Sequence, residues 1–197
     1  MNLFYQQDNM YLCLKEEGGK GLWGVPFSEP ICGKASTIDY YANGKLQILF
    51  GAGTRLHLID RLGRFVSGFP VDLGKEILLG PDVYDFNGSR RYNVMVLHKD
   101  NTIEMYNLKG QKPASWAGIR PSDTIRDLPE RIIVGGNTFW VVRTSVQTLI
   151  YPFGGGQPLT SFEGEQMALP DSEVKVVDGS AVELHCYDGK SRTVKLK

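Results

Sequence analysis

The sequence predicts an all-β fold built from similar units laid end to end, and three observations predict it. Short apolar runs alternate with turn residues from one end of the chain to the other, as in "LQILFG", "RLHLID", "YNVMVLHK", "TFWVVRT" and "AVELHCY". No window of a dozen residues carries the 3.6-residue apolar stripe of a helix. Landmarks also recur at a fixed spacing. "WGVPF" at Trp23 to Phe27 returns as "SGFPV" at Ser67 to Val71, and Asn43-Gly44 returns as Asn87-Gly88, both 44 positions on. "LIDRLGRF", "MYNLKGQK" and "IYPFGGGQ" align on Gly63, Gly110 and Gly155, separated by 47 and 45 residues. A unit of about 45 residues with three or four strands and hairpin turns is a β-propeller blade. A β-sandwich is the alternative architecture for the same strands.

Taken in order, the units fall at about 1-33, 34-75, 76-120, 121-165 and 166-197, in a single propeller domain or fragment of 1-197. The first opens inside a blade, with strands near Leu3 to Tyr5, Met10 to Leu14 and Leu22 to Phe27 and no earlier strand of its own. The second holds "LQILFG", "RLHLID" and "RFVSGFPV", the third "YNVMVLHK" and "TIEMYNL", and the fourth "ERIIV", "TFWVVRT" and "QTLIYPF". The last unit is short, with "EVKVV", "AVELHCY" and "RTVKLK". Asn43-Gly44, Gly51-Ala52-Gly53, Asn87-Gly88, Gly135-Gly136-Asn137, Asp178-Gly179 and Asp188-Gly189 supply residues that tolerate the positive φ of tight turns. Runs such as Val94 to Leu97 and Phe139 to Val142 are apolar at consecutive positions, so both of their faces should be covered, as in stacked sheets. This amounts to four to five blades, forming either a partial arc or a small closed ring. An arc would leave apolar faces on its terminal blades and should self-associate through them.

Composition limits the partners. Hydrophobic residues are 42% of the chain, enough for a core, and Lys plus Arg equal Asp plus Glu at 22 each. Zero net charge gives no field to draw nucleic acid or an anionic membrane surface. No run of about 18 apolar residues provides for membrane insertion. Cys13, Cys32 and Cys186 allow at most one disulfide, and none lies in a CxxC pair.

"LHLIDRLGRFVSGFPVDL" and "GPDVYDFNGSRRYNVMVLHKDNTIEMYNLKGQKPASW" resemble the propeller repeats of large uncharacterised bacterial proteins. In those repeats a strand and a turn Gly lead to "GFP", and the next blade opens on an Asp-aromatic-Asn pattern. The likeness spans about Leu46 to Phe162 and is more distantly shared with quinoprotein-like (PQQ-like) and FG-GAP-like repeats. It implies a binding or scaffold module, often extracytoplasmic. The Trp of quinoprotein repeats and the WD dipeptide of WD repeats are both missing.

The candidate site residues divide by chemistry. Asp85-x-Asn87-Gly88 has the start of a calcium loop, but Arg90 and Arg91 stand where further oxygen ligands belong, so it reads as a turn. Gly154 to Gly156 and Gly51 to Gly53 lie between strands with no following helix to present an anion site. His57, His98 and His185 fall in separate units without metal-ligand spacing, and Cys186 points to the opposite strand face from His185. Glu16 and Glu17 read as a solvated turn. No metal or cofactor is therefore expected. Asp39, Asp82, Asp85 and Asp127 could meet at blade tops as the acid pair of a glycan-processing enzyme. Trp23, Trp116 and Trp140 read mainly as core, with Trp116, in "PASWAG" on an expected outer strand, as the candidate platform for a sugar or peptide. The sequence thus points to a non-enzymatic module for a protein or glycan partner, with the glycan-processing enzyme as the alternative.

Overall fold

The computed structural model describes residues 2–196 and contains five small sheets, each an open row of strands in chain order. The first holds β1 (Leu3–Gln6), β2 (Leu12–Lys15) and β3 (Gly21–Val25); the second β4 (Ser36–Ile38), β5 (Gln47–Ala52), β6 (Arg55–Ile59) and β7 (Val71–Asp72). The third holds β8 (Ile77–Tyr84), β9 (Asn93–His98) and β10 (Ile103–Asn107), and the fourth β11 (Glu130–Val134), β12 (Asn137–Arg143) and β13 (Thr148–Pro152). The fifth holds β14 (Lys175–Val177), β15 (Ala181–His185) and β16 (Ser191–Lys195). Helix is limited to the single 3-10 turn Gly164–Gln166 among the described residues, and no helix is long and apolar enough to cross a membrane. Five separate sheets replace the two packed sheets of the sandwich alternative. Met1 and Lys197, the outer ends of the expected first and last units, lie outside the described residues.

One turn recurs in every sheet. The amide of Gly19 donates to the Glu16 carbonyl at 2.9 Å, Gly63 to Asp60 at 3.0 Å, Gly110 to Asn107 at 3.0 Å, Gly155 to Pro152 at 2.9 Å and Gly189 to Cys186 at 3.0 Å. All five glycines have positive φ, between 73° and 88°. This turn follows β2, β6, β10, β13 and β15, so the strand pairs β1–β2, β5–β6, β9–β10, β12–β13 and β14–β15 correspond. Sheets two, three and four each have one further strand before that pair: β4, β8 and β11. The first sheet has none before β1.

The chain divides into two compact units. One comprises residues 1–100 and 105–112, the other residues 101–104 and 113–197, so the division runs through β10. In the first unit, Ile38, Leu49, Leu56, Leu58, Ile77, Val94 and Val96 form one buried cluster, while Leu12, Leu14, Ile48, Phe50 and Ile59 form another. In the second, Phe139, Val141, Ile150, Val182, Leu184 and Val194 are the core. Each fully buried Leu, Ile, Val or Phe contributes on the order of 1.5–3 kcal/mol. β5 is buried at all six positions and β9 at five of six, because both faces are covered, as their unbroken apolar runs require.

Close sheet packing fixes two glycines. A Cβ on Gly51 of β5 would stand 3.1 Å from the Gly80 carbonyl and from Ile77 of β8. Gly63 combines φ +80° with the Trp23 indole of the first sheet at 3.0 Å from an added Cβ, and Trp23 Nε1 donates to the Arg61 carbonyl at 3.0 Å.

The structure adds β4 and β8 to the strands expected from the sequence and shortens a third. β8 runs through Gly80-Pro81, a dipeptide that ordinarily interrupts a strand. The strand accommodates it with register shifts around Leu79 and with Gly80 at φ +120°, lying against the Met95 carbonyl. "RFVSGFPV" is a strand only at β7; before it, Phe65 makes an isolated bridge to Ile59 and the chain turns at Ser67-Gly68.

Candidate functional site

A cavity of about 880 Å³ opens in the first unit beside β1. Its walls are Phe4, Tyr5 and Gln6 of β1, Leu14 of β2, Ser36 and Thr37 of β4, and the connecting residues Ile31, Gly33, Lys34 and Ala35, with Leu46, Ile48 and Arg61 closing it. Successive strand side chains point to opposite faces. A cavity lined by Phe4, Tyr5 and Gln6 therefore wraps around the unpaired edge of β1. Among the described residues β1 pairs only with β2, through Leu3↔Lys15 to Gln6↔Leu12, so its other edge, beside this cavity, has no strand partner there. β4, β8 and β11 occupy the corresponding position in the next three sheets.

The chemistry of the lining is mainly apolar with a basic rim. Lys34 is 68% exposed and bridges Asp82 at 2.7 Å, while exposed Arg61 has no carboxylate partner among the described residues. Gln6 is fixed by donating to the Glu29 carbonyl at 2.8 Å and accepting from the Ile31 amide at 3.0 Å, which ties β1 to the cavity wall. The lining contains no Asp, Glu, His or Cys. It supplies neither a general acid–base pair nor a nucleophile of the kind those residues provide.

The four acids considered for glycan processing are engaged elsewhere. Asp39 accepts the amides of Asn43 and Gly44, each at 3.0 Å, and pairs with Arg90 at 3.1 Å. Asp85 accepts the Arg90 amide at 2.9 Å, so Asp39 and Asp85 meet only through Arg90. Asp82 holds Lys34, and Asp127 is an exposed residue bonded to the Leu128 amide. Asn87, in the degenerate calcium motif, accepts from the Ser89 hydroxyl at 2.6 Å. Among the described residues, no three His, Cys, Asp or Glu side chains gather in a metal-ligating group.

Trp116 lies in a connection after a turn at Ala114-Ser115, not on an outer strand, and is 8% exposed. Its Nε1 donates to Glu104 Oε2 at 2.8 Å, and Arg120 donates to Glu104 Oε1 at 2.7 Å. With its ring buried and its polar edge engaged, Trp116 offers no open face to a ligand. Trp140 is fully buried and donates to the Phe153 carbonyl at 2.9 Å, while Trp23 packs on Gly63. Fully buried Glu104 escapes sequence reasoning because "TIEMYNL" looks like an ordinary strand; its available signal is a lone carboxylate amid apolar residues with a Trp twelve positions on.

His98 is buried, with Nε2 at 2.8 Å from the Tyr106 hydroxyl and Nδ1 at 3.1 Å from the Glu76 carbonyl. His57, 6% exposed, stacks on Phe50 at 5.2 Å and meets Phe27 edge-on at 5.0 Å, and burial pushes its pKa down. His185 is exposed on β15. All three cysteines are free; Cys13 and Cys186 are buried, and burial raises the pKa of the Cys32 thiol.

These features define an all-β chain of the β-propeller type, and solved structures share its fold. No family model matches the chain and no curated protein matches it in sequence. BBS1N, a β-propeller solved in complex with ARL6DN, is 11% identical with a TM-score of 0.58, covering 100% of this chain and 62% of that one; a second crystal of the same complex gives 0.61. BamB from Moraxella catarrhalis, a PQQ-like β-propeller, is 12% identical with a TM-score of 0.53, covering 100% of this chain and 55% of its own. The designed Ika8 protein is 14% identical at a TM-score of 0.50, with coverage of 98% and 57%. This chain thus spans less than two thirds of each of these structures. At such identities the likeness is one of fold.

Proposed function

We propose that this chain is a non-enzymatic binding module of a single propeller domain, divided as 1-33, 34-75, 76-120, 121-165 and 166-197. In this reading it takes an extended segment of a protein partner as an added strand on β1. The open edge of β1 inside a cavity of about 880 Å³ carries the proposal. Backbone hydrogen bonds to the edge give affinity, and alternate side chains enter the apolar walls on either side. β1 has four residues, enough to pair with about 13 Å of extended chain. Arg61 and Lys34 at the rim favour a segment carrying an acidic residue beside its apolar ones.

The absence of carboxylates from the lining supports binding over glycan processing, whose acid pair requires two of them. The complex of BBS1N with ARL6DN supports protein binding as a use of this fold, although that partner belongs to that protein. Self-association through outer sheets is the competing occupant of the same edge. Selection from a displayed library of extended peptides tests the proposal: wild-type protein should enrich apolar–acidic sequences, and Leu46→Asp should lose them. Enrichment that ignores Leu46→Asp, or a concentration-dependent dimer that peptide does not dissociate, would remove the proposal.

A further inference from the structure

The second unit contains a cavity of different character, about 410 Å³, within the ~300–1,000 Å³ range of small-ligand sites. It lies among the 117–123 connection, β13 and the 156–162 connection. Tyr151 of β13 lines it, 1% exposed as a residue, and its hydroxyl forms no hydrogen bond with another described residue. At the cavity wall that hydroxyl is open to a bound group as both donor and acceptor. Burial and the charge of Asp123 push the Tyr151 pKa up to about 12, so it stays a neutral donor and acceptor.

The groups around that hydroxyl point to one kind of ligand. Asp123 Oδ2 accepts from Gln147 Nε2 at 3.0 Å, which orients the carboxylate and leaves Oδ1 without a donor among the described residues. Thr160, 8% exposed, accepts weakly from the Ile150 amide at 3.4 Å and has its own hydroxyl proton uncommitted. Arg120 closes the rim while bound to Glu104. Asp123 disfavours an anion and Arg120 disfavours a cation. What remains is a neutral ligand whose groups both donate and accept, with an apolar face for Phe162.

We propose that this cavity binds a neutral polyhydroxylated ligand of the size of one or two pyranose rings, with adjacent hydroxyls held by Asp123 and Tyr151. The site is separate from the β1 edge and does not depend on it. The test is saturation-transfer NMR and calorimetry with methyl glycosides of glucose, galactose, mannose and N-acetylglucosamine, against wild type, Tyr151→Phe and Asp123→Asn. At least one glycoside should bind, and each substitution should weaken it by about tenfold, the loss of one hydrogen bond. Tyr151→Phe should leave the melting temperature unchanged, because the hydroxyl it removes has no partner among the described residues; a melting temperature lowered by that substitution would show a structural bond and overturn the proposal. So would binding of none of the glycosides, affinity indifferent to both substitutions, or uptake of inorganic phosphate in preference to them. Leu46→Asp, in the other unit, should leave glycoside binding intact.

Discussion

Replacing Arg120 with Met tests how the second unit tolerates a buried carboxylate. The Glu104 side chain is 1% exposed and its oxygens are held by Arg120 at 2.7 Å and Trp116 at 2.8 Å. Arg120→Met keeps an unbranched stem and removes the cation. Breaking a buried pair from one side costs about 3–5 kcal/mol, and the lower end applies because Arg120 is 54% exposed and partly screened by water. A loss of about 3 kcal/mol corresponds to roughly 6–12 °C in melting temperature at this chain length. Glu104→Gln alone should cost only about 1 kcal/mol, since Arg120 can turn to solvent and Trp116 keeps an oxygen acceptor. The combined variant should be more stable than Arg120→Met alone, because the stranded charge is gone. Urea unfolding of the four proteins gives the cycle, with a coupling of about 1–3 kcal/mol expected. An Arg120→Met effect below about 0.5 kcal/mol, within the usual surface range, or strictly additive losses, would refute the reasoning.

His57 should make stability fall in mild acid. Its folded pKa lies below the ordinary value of about 6.5, so the unfolded chain binds the proton more readily. This contribution is complete above that ordinary value and declines as pH drops below it towards the folded pKa. The stability lost by wild type between pH 7.5 and 5.5 should exceed that lost by His57→Phe, and equal losses would contradict the assignment. Gly63→Ala should cost about 1–3 kcal/mol by chemical denaturation, from the left-handed φ and the clash with Trp23. Leu46→Asp, at a 52% exposed position, should leave stability within about 0.5 kcal/mol while abolishing peptide capture. Thiol titration of the native protein should be slow even at Cys32, whose thiolate is disfavoured by burial, and three thiols should react after unfolding.

The strands were legible wherever the local signal was chemical. β5, β6, β9 and β12 follow their apolar runs closely because both faces are largely buried, and Gly63, Gly110 and Gly155, aligned by sequence, all adopt the same positive-φ turn. β8 was missed because Gly80-Pro81 normally interrupts a strand, and only its packing against Met95 shows why glycine is needed there. Trp116 was misplaced because small neighbours suggest an exposed strand, whereas its environment is set by Glu104, twelve residues earlier. The two cavities depend on which strand edges and hydroxyls lack partners. That β1 opens its sheet was readable from the repeats, but the convergence of β1 with β4 and Arg61 around one cavity was not.

The most direct test of strand addition at β1 is amide hydrogen exchange, read residue by residue, with and without a library-selected peptide. The account predicts new protection at alternate amides within Leu3 to Gln6, with little change in the fifth sheet, and loss of that protection in Leu46→Asp. Tight peptide binding that leaves the β1 amides exchanging at their free rate would contradict it.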